Sequence, residues 1–182
     1  MKWLREEAGY DEIHDAAGSP RQHYARLLEL LTQINEGELS RRERLQHLSL
    51  LNQGITFAVY GEKHGAERVF PFDFVPRIIP AEEWRQIEEG LVQRVTVLNL
   101  FLKDIYTDRA CLKEGILPWE LLLSRREYKR ELLGVLPPRD VFTHIVGTDL
   151  IRDDSGEYRV LEDNCRCPSG VSYVIENRNL LQ

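Results

Sequence analysis

The stretch GTDLIRDDSGEYRVLEDNCRCPSG, Gly147 to Gly170, decides how this chain is read. Two runs of strand-like composition, Val141–Arg152 and Glu157–Asn164, flank the polar turn Asp153-Asp154-Ser155-Gly156, a pattern that predicts a β-hairpin. Side chains in a strand alternate between faces, so Glu162 and Asn164 project the same way. A two-residue loop at Ser155-Gly156 sets Asp149 directly opposite Glu162; a four-residue loop over 153–156 sets it diagonally. Either register gathers Asp149, Glu162 and Asn164 on one face, and only an odd-length loop or a bulge would part them. Carboxylates facing each other across a ladder repel. A divalent cation turns that repulsion into coordination. Two carboxylates and an amide oxygen are hard ligands, of the type Mg²⁺ takes when it also carries substrate phosphates. The competing reading is a solvated sheet face whose charges guard an edge against aggregation. The hairpin alone leaves both open.

With 182 residues, 42% of them hydrophobic and 30% charged, the chain has the size and profile of one globular domain, or of one with an appendage. A net charge of −6 disfavours nonspecific binding to nucleic acid or to an anionic membrane. No apolar run approaches the roughly 20 residues of a membrane span. The start, MKWLREEAGYDE, lacks the hydrophobic region of a secretion signal. Three cysteines, Cys111, Cys165 and Cys167, without a disulfide-like framework suit a reducing cytoplasm. Cys165-Arg166-Cys167 supplies two thiols but no second cluster, and the five histidines lack ligand spacing, which argues against structural zinc.

Residues 1–19 read as a loosely held polar arm, before a helix predicted to start at Ser19-Pro20. Tyr24, Leu27, Leu28, Leu31 and Ile34 recur at helical spacing, and Asn35–Gly37 is expected to end the run. A second helix is predicted over Ser40–Asn52 with Leu45, Leu48 and Leu51 buried; Arg41, Arg42 and Arg44 at its start read as solvated. Strands follow at Ile55–Tyr60 and Arg68–Phe70. In PFDFVPRIIP, Asp73 and Arg77 are charges among apolar residues, expected to pair with each other or to line a site. Ala81–Tyr106 is the long helix, Glu82 and Glu83 complementing its positive end. Its apolar stripe widens at Val97, Leu100 and Phe101, which predicts burial on several sides. Short helical pieces around Asp108–Glu114 and Pro118–Arg126 lead through Leu136-Pro137-Pro138-Arg139 to the hairpin. Helices, strands, a long helix and a hairpin in that order indicate an α/β or α+β fold.

The chain resembles the N-terminal part of the circularly permuted ATP-grasp proteins, the group labelled glutathionylspermidine-synthase-like. The stretches that carry the resemblance are YDEIHDAAGSPRQHY, QGITFAVYG, FPFDFVPRIIPAEEW, LNLFLKDIY, GTDLIRDDSGEYRVLEDN and CPSGVSYVIENR. They cover about Tyr10 to Arg178, and the last two are the most specific. The resemblance implies that residues 20–182 are the N-terminal part of such a domain, cut short at its C-terminus, with a metal-bearing hairpin. It implies a ligase that joins a carboxylate to an amine, using ATP and Mg²⁺ as cofactors and passing through an acyl phosphate. Small-molecule or peptide acids and amines would be its partners. Glu162 and Asn164, as E-x-N, would bind the metal with Asp149 on the preceding strand.

Under the same resemblance, Arg166 would hold phosphate or a substrate carboxylate bidentately. Pro168-Ser169-Gly170 leads into a predicted helix, whose free N–H groups favour an anion; Ser169 would serve there or simply as an N-cap. Cys167 departs from the threonine that relatives often carry, which removes any hydroxyl role at that position. The adenine pocket and phosphate-binding lysines of the group lie downstream, so these residues alone are expected to turn over little or no ATP. The alternatives are a noncatalytic ATP-grasp-like binding or assembly module, or an inactive truncated product.

Overall fold

The computed structural model describes residues 9–58, 67–69, 72–73 and 75–180. It is a mixed helix and strand fold with small antiparallel sheets, in the order α1 (Gln22–Thr32), α2 (Glu36–Asn52), β1 (Thr56–Ala58), β2 (Glu67–Val69), α3 (Ala81–Tyr106), α4 (Ala110–Lys113), α5 (Trp119–Leu123), β3 (Gly147–Arg152), β4 (Tyr158–Asn164) and α6 (Gly170–Leu180). β1 pairs antiparallel with β2, Thr56 opposite Val69, and β3 pairs with β4. The ends predicted for the first strands at Tyr60 and Phe70 lie outside the described residues.

Two compact units result, one of Met1–Pro80, Arg152–Glu157 and Val171–Gln182, the other of Ala81–Ile151 and Tyr158–Gly170. In the first, α1 begins at Gln22 rather than at Pro20, because Pro20 forms an isolated antiparallel bridge with His14. Asn35 does not end a helix but starts one: its side-chain oxygen accepts from the Glu38 N–H at 2.8 Å, so α2 begins four residues before the predicted Ser40. The buried face of α2 is also different from the leucine stripe expected. Leu45, Leu48 and Leu51 are about half exposed, whereas Leu50 and Gln46 are buried, as are Tyr24 and Leu31 in α1. The Tyr24 hydroxyl accepts from the Ile78 N–H at 2.8 Å. Asp73 and Arg77 are both exposed and do not pair; Asp73 accepts from the Val75 N–H, and Arg77 pairs with Glu12 at 2.7 Å.

The same unit holds the turn between β3 and β4 against the segment before α1. The Tyr10 ring has the Arg21 guanidinium 4.5 Å from its centroid and that of Arg152 at 4.2 Å. Gly156, in the left-handed region at φ +87°, comes so close that a Cβ there would lie 2.6 Å from the ring.

The second unit is organised by α3, whose bounds match the expectation. Its core gathers Ile105 with Leu112 of α4 and Leu122 of α5, supported by Leu102, Tyr106, Leu117 and Tyr128. The stripe narrows instead of widening: Val97 and Leu100 are more than half exposed. Asp104 joins α3 to α4 by accepting from the Ala110 and Cys111 N–H groups at 2.8 and 3.0 Å. A bond from the Cys111 thiol, together with these two, holds its carboxyl below the usual carboxylate range. The strand predicted from Val141 starts only at Gly147. Phe142 and Thr143 donate their backbone N–H groups to Asn99 Oδ1 of α3, at 2.9 and 3.2 Å, and so are not available to a ladder there.

Candidate functional site

The hairpin turn is neither of the two even-length loops. Asp153 donates its N–H to the Glu157 carbonyl at 2.9 Å, and the Gly156 N–H donates to the Asp153 carbonyl at 2.8 Å. That arrangement closes a three-residue loop, a tight turn followed by a left-handed glycine. Asp153 completes it, its Oδ1 accepting from Ser155 and from the Glu157 N–H. An odd loop shifts the parity between strands by one, which alone would send Asp149 to the face opposite Glu162.

Exposure along the strands reveals a second shift. In β3, Thr148, Leu150 and Arg152 are half-buried while Asp149 and Ile151 are exposed. In β4, Tyr158 and Val160 are half-buried, Leu161 and Glu162 are both exposed, Asp163 turns inward and Asn164 is exposed again. Two successive outward residues are the signature of a one-residue slip, as at a β-bulge. Side-chain contacts mark both faces beyond it. Thr148 donates its hydroxyl to Asp163 Oδ1 at 3.0 Å on the inner face, and Asn164 Nδ2 donates to Glu162 Oε1 at 3.0 Å on the outer one. Two odd displacements cancel, so Asp149, Glu162 and Asn164 all stand on the exposed side.

The two faces differ in electrostatics. The inward Asp163 pairs with Arg94 of α3, Nε to Oδ2 at 2.7 Å, its side chain only 9% exposed. Among the described residues neither Asp149 nor Glu162 is in an ion pair. The described residues also hold no group of three His, Cys, Asp or Glu side chains placed to bind a metal. The outer face offers two carboxylates and one amide, a donor set chemically suited to Mg²⁺ when phosphate oxygens and water supply the remaining positions.

Arg166 is exposed one residue beyond Cys165, and Ser169 is exposed immediately before α6. Gly147 lets this loop lie close to β3: a Cβ there would meet that of Pro168 at 2.8 Å and that of Asn164 at 3.7 Å. Any larger residue would have to displace the loop. Burial, reinforced by the charge of Asp163, pushes the Cys165 thiol up, Arg94 partly offsetting it. Sequence reasoning missed Asp163, Arg94 and Thr148. Alternation alone turns Asp163 away from its neighbours, but nothing in the sequence links it to a residue 69 positions earlier.

Residues 76–182 match the family described as circularly permuted ATP-grasp type 2. The chain is 44% identical over 173 residues to an uncharacterized protein of Synechocystis, covering 95% of this chain and 36% of that protein. It is likewise 44% identical over 172 residues to an uncharacterized protein of Mycobacterium tuberculosis, covering 94% and 30%. A Frankia casuarinae protein named "Putative glutamate--cysteine ligase 2-2" is 39% identical over 175 residues, 96% of this chain and 20% of that protein. The chain therefore spans between a fifth and a little over a third of these relatives.

Proposed function

The chain belongs to the circularly permuted ATP-grasp type 2 family, and from that premise we propose that it carries the metal-binding hairpin of an ATP- and Mg²⁺-dependent carboxylate–amine ligase. One observation carries the reading: Glu162 and Asn164 are joined side by side at 3.0 Å on the exposed face, while the acid between them is turned inward and neutralised. Asp149, Glu162 and the Asn164 amide oxygen are the ligands. Bound there, Mg²⁺ would supply positive charge to the nucleotide phosphates, which is most of what phosphoryl transfer asks of a protein.

The chain's own residues then hold and orient. Arg166, exposed beside the metal strand, presents a planar fork to a phosphate or to the substrate carboxylate. Ser169, exposed in the same loop, would add a hydroxyl donor to that anion. In the reaction a carboxylate oxygen takes the γ-phosphoryl group of ATP and ADP leaves. The amine then attacks the acyl phosphate, an amide bond forms, and phosphate departs with the oxygen it received. The relatives named as glutamate–cysteine ligases make glutamate and cysteine the first pair to try. The resemblance to glutathionylspermidine-synthase-like proteins makes a peptide acid and a polyamine the second.

The test is ADP release by the full-length protein with each acid and amine pair. Glu162→Gln, which keeps the side chain's shape but not its charge, is expected to lower kcat by about a hundredfold or more. Turnover undiminished in that variant would remove Glu162 from the site.

A further inference from the structure

The residue between the two proposed ligands in β4 has an unusual set of partners. Asp163 is the inward member of the Glu-Asp-Asn run, and both of its oxygens are engaged from different elements: Oδ2 by Arg94 of α3 at 2.7 Å, Oδ1 by Thr148 of β3 at 3.0 Å. Its side chain is 9% exposed, whereas that of Arg94 is 45% exposed. An exposed arginine contributes little through an isolated surface pair. A nearly buried aspartate that lost this partner would be left with an uncompensated charge, so the contact constrains Asp163 far more than it constrains Arg94.

We propose that Asp163 is a positioning residue, clamped by Arg94 and Thr148 so that Glu162 and Asn164 keep a common aim at the cation. The inference rests on the reading of the outer face as a metal site. Successive side chains of a strand are fixed to opposite faces, so any twist of the backbone at Asp163 swings both neighbours together. The parity slip just before it, at Leu161 and Glu162, makes this the place where a β-ladder by itself defines orientation least. Two charge-assisted or hydroxyl bonds to α3 and β3 replace the missing constraint. A ligand set needs its members held to within about 0.5 Å, and one inward anchor between two outward ligands supplies that.

The test titrates MnCl2 alone into the 182-residue chain, reading free Mn²⁺ by electron paramagnetic resonance so that stoichiometry and Kd are obtained separately. Asp163→Asn is expected to raise Kd about tenfold at unchanged stoichiometry. Thr148→Val, which deletes only the hydroxyl, should raise it roughly two- to threefold. Arg94→Lys should fall between the unaltered chain and Arg94→Ala, a graded rescue that a merely structural role would not produce. If Asp163→Asn fails to fold, the Thr148 and Arg94 variants carry the test.

Unchanged Kd in the Asp163, Thr148 and Arg94 variants, with Glu162→Gln losing the ion, would overturn the positioning role and leave the metal face standing. A lowered stoichiometry at constant Kd would also overturn it, because only the folded fraction would have changed. If the unaltered chain takes up no Mn²⁺, or Glu162→Gln binds it equally well, the metal face itself falls and the inference with it.

Discussion

Cys165 and Cys167 stand two residues apart and should behave as different reagents. Cys165 is half-buried beside Asp163, and burial together with that negative charge keeps its thiol protonated above the ordinary range. Cys167 is exposed. At pH 8, iodoacetamide should therefore alkylate Cys167 about tenfold faster than Cys165, read by mass spectrometry of the peptides. Asp163→Asn removes the charge that helps raise the Cys165 thiol, so that variant should narrow the gap. Equal rates in the unaltered chain would contradict the burial of Cys165. The neighbouring E-x-N shows how far a motif can be read in one dimension: it is a pattern of alternation within β4, and was legible as such. What alternation could not supply was the partner across the fold, Arg94, on which the separate roles of Glu162 and Asp163 depend.

Between elements, two junctions can be tested. Gly156 combines a positive φ with the Tyr10 ring, so Gly156→Ala should cost about 1–3 kcal/mol in urea unfolding. Tyr10→Ala removes the steric part and leaves the backbone part, so the glycine substitution should cost less in that background. Additive effects would show that the ring does not constrain the turn. Asp104, at the α3–α4 junction, has a carboxyl held below its ordinary 3.8 by bonds from Cys111 and Ala110. Its folded value lies below its unfolded one, so its contribution is fully present above pH 3.8 and is lost as pH falls through the folded value. The stability difference between the unaltered chain and Asp104→Asn should thus be level from neutrality to about pH 5 and shrink below pH 4. A difference that persists undiminished in acid would count against these bonds. Both junctions were hidden in the sequence for the same reason. An aspartate six residues before a short helix, or a tyrosine 146 residues before a glycine, leaves no local periodicity.

At the scale of the whole molecule, the balance of apolar surface is the main feature. Among the described residues only Tyr24, Leu31, Leu50, Ile87, Ile105, Leu112 and Leu122 form the buried apolar set, while Val92, Val97, Leu100, Val171, Val174 and Ile175 are each more than half exposed. Exposed apolar area of this extent should bind 8-anilinonaphthalene-1-sulfonate and promote self-association. Val97→Lys with Leu100→Lys should weaken dye fluorescence while changing stability by no more than about 0.5 kcal/mol, as expected of surface positions. A large loss of stability would place those side chains in a core instead. No helix among the described residues is long and apolar enough to cross a membrane.

The sequence by itself determined what depends on neighbours along the chain. The bounds of α3 follow from its capping charges and unbroken apolar repeat, the hairpin follows from its turn, and the shared direction of Glu162 and Asn164 follows from strand parity. Family membership was legible for the same reason, being carried by contiguous stretches. Tertiary structure alone decided which side of each amphipathic helix is covered, where β3 begins, and whether Asp149 joins the other two. The covered side depends on what packs there, the strand start on the amides that Asn99 withdraws, and the grouping on an odd loop cancelled by a slip in β4. Those are contacts between residues far apart in the chain, and spacing alone carries no record of them.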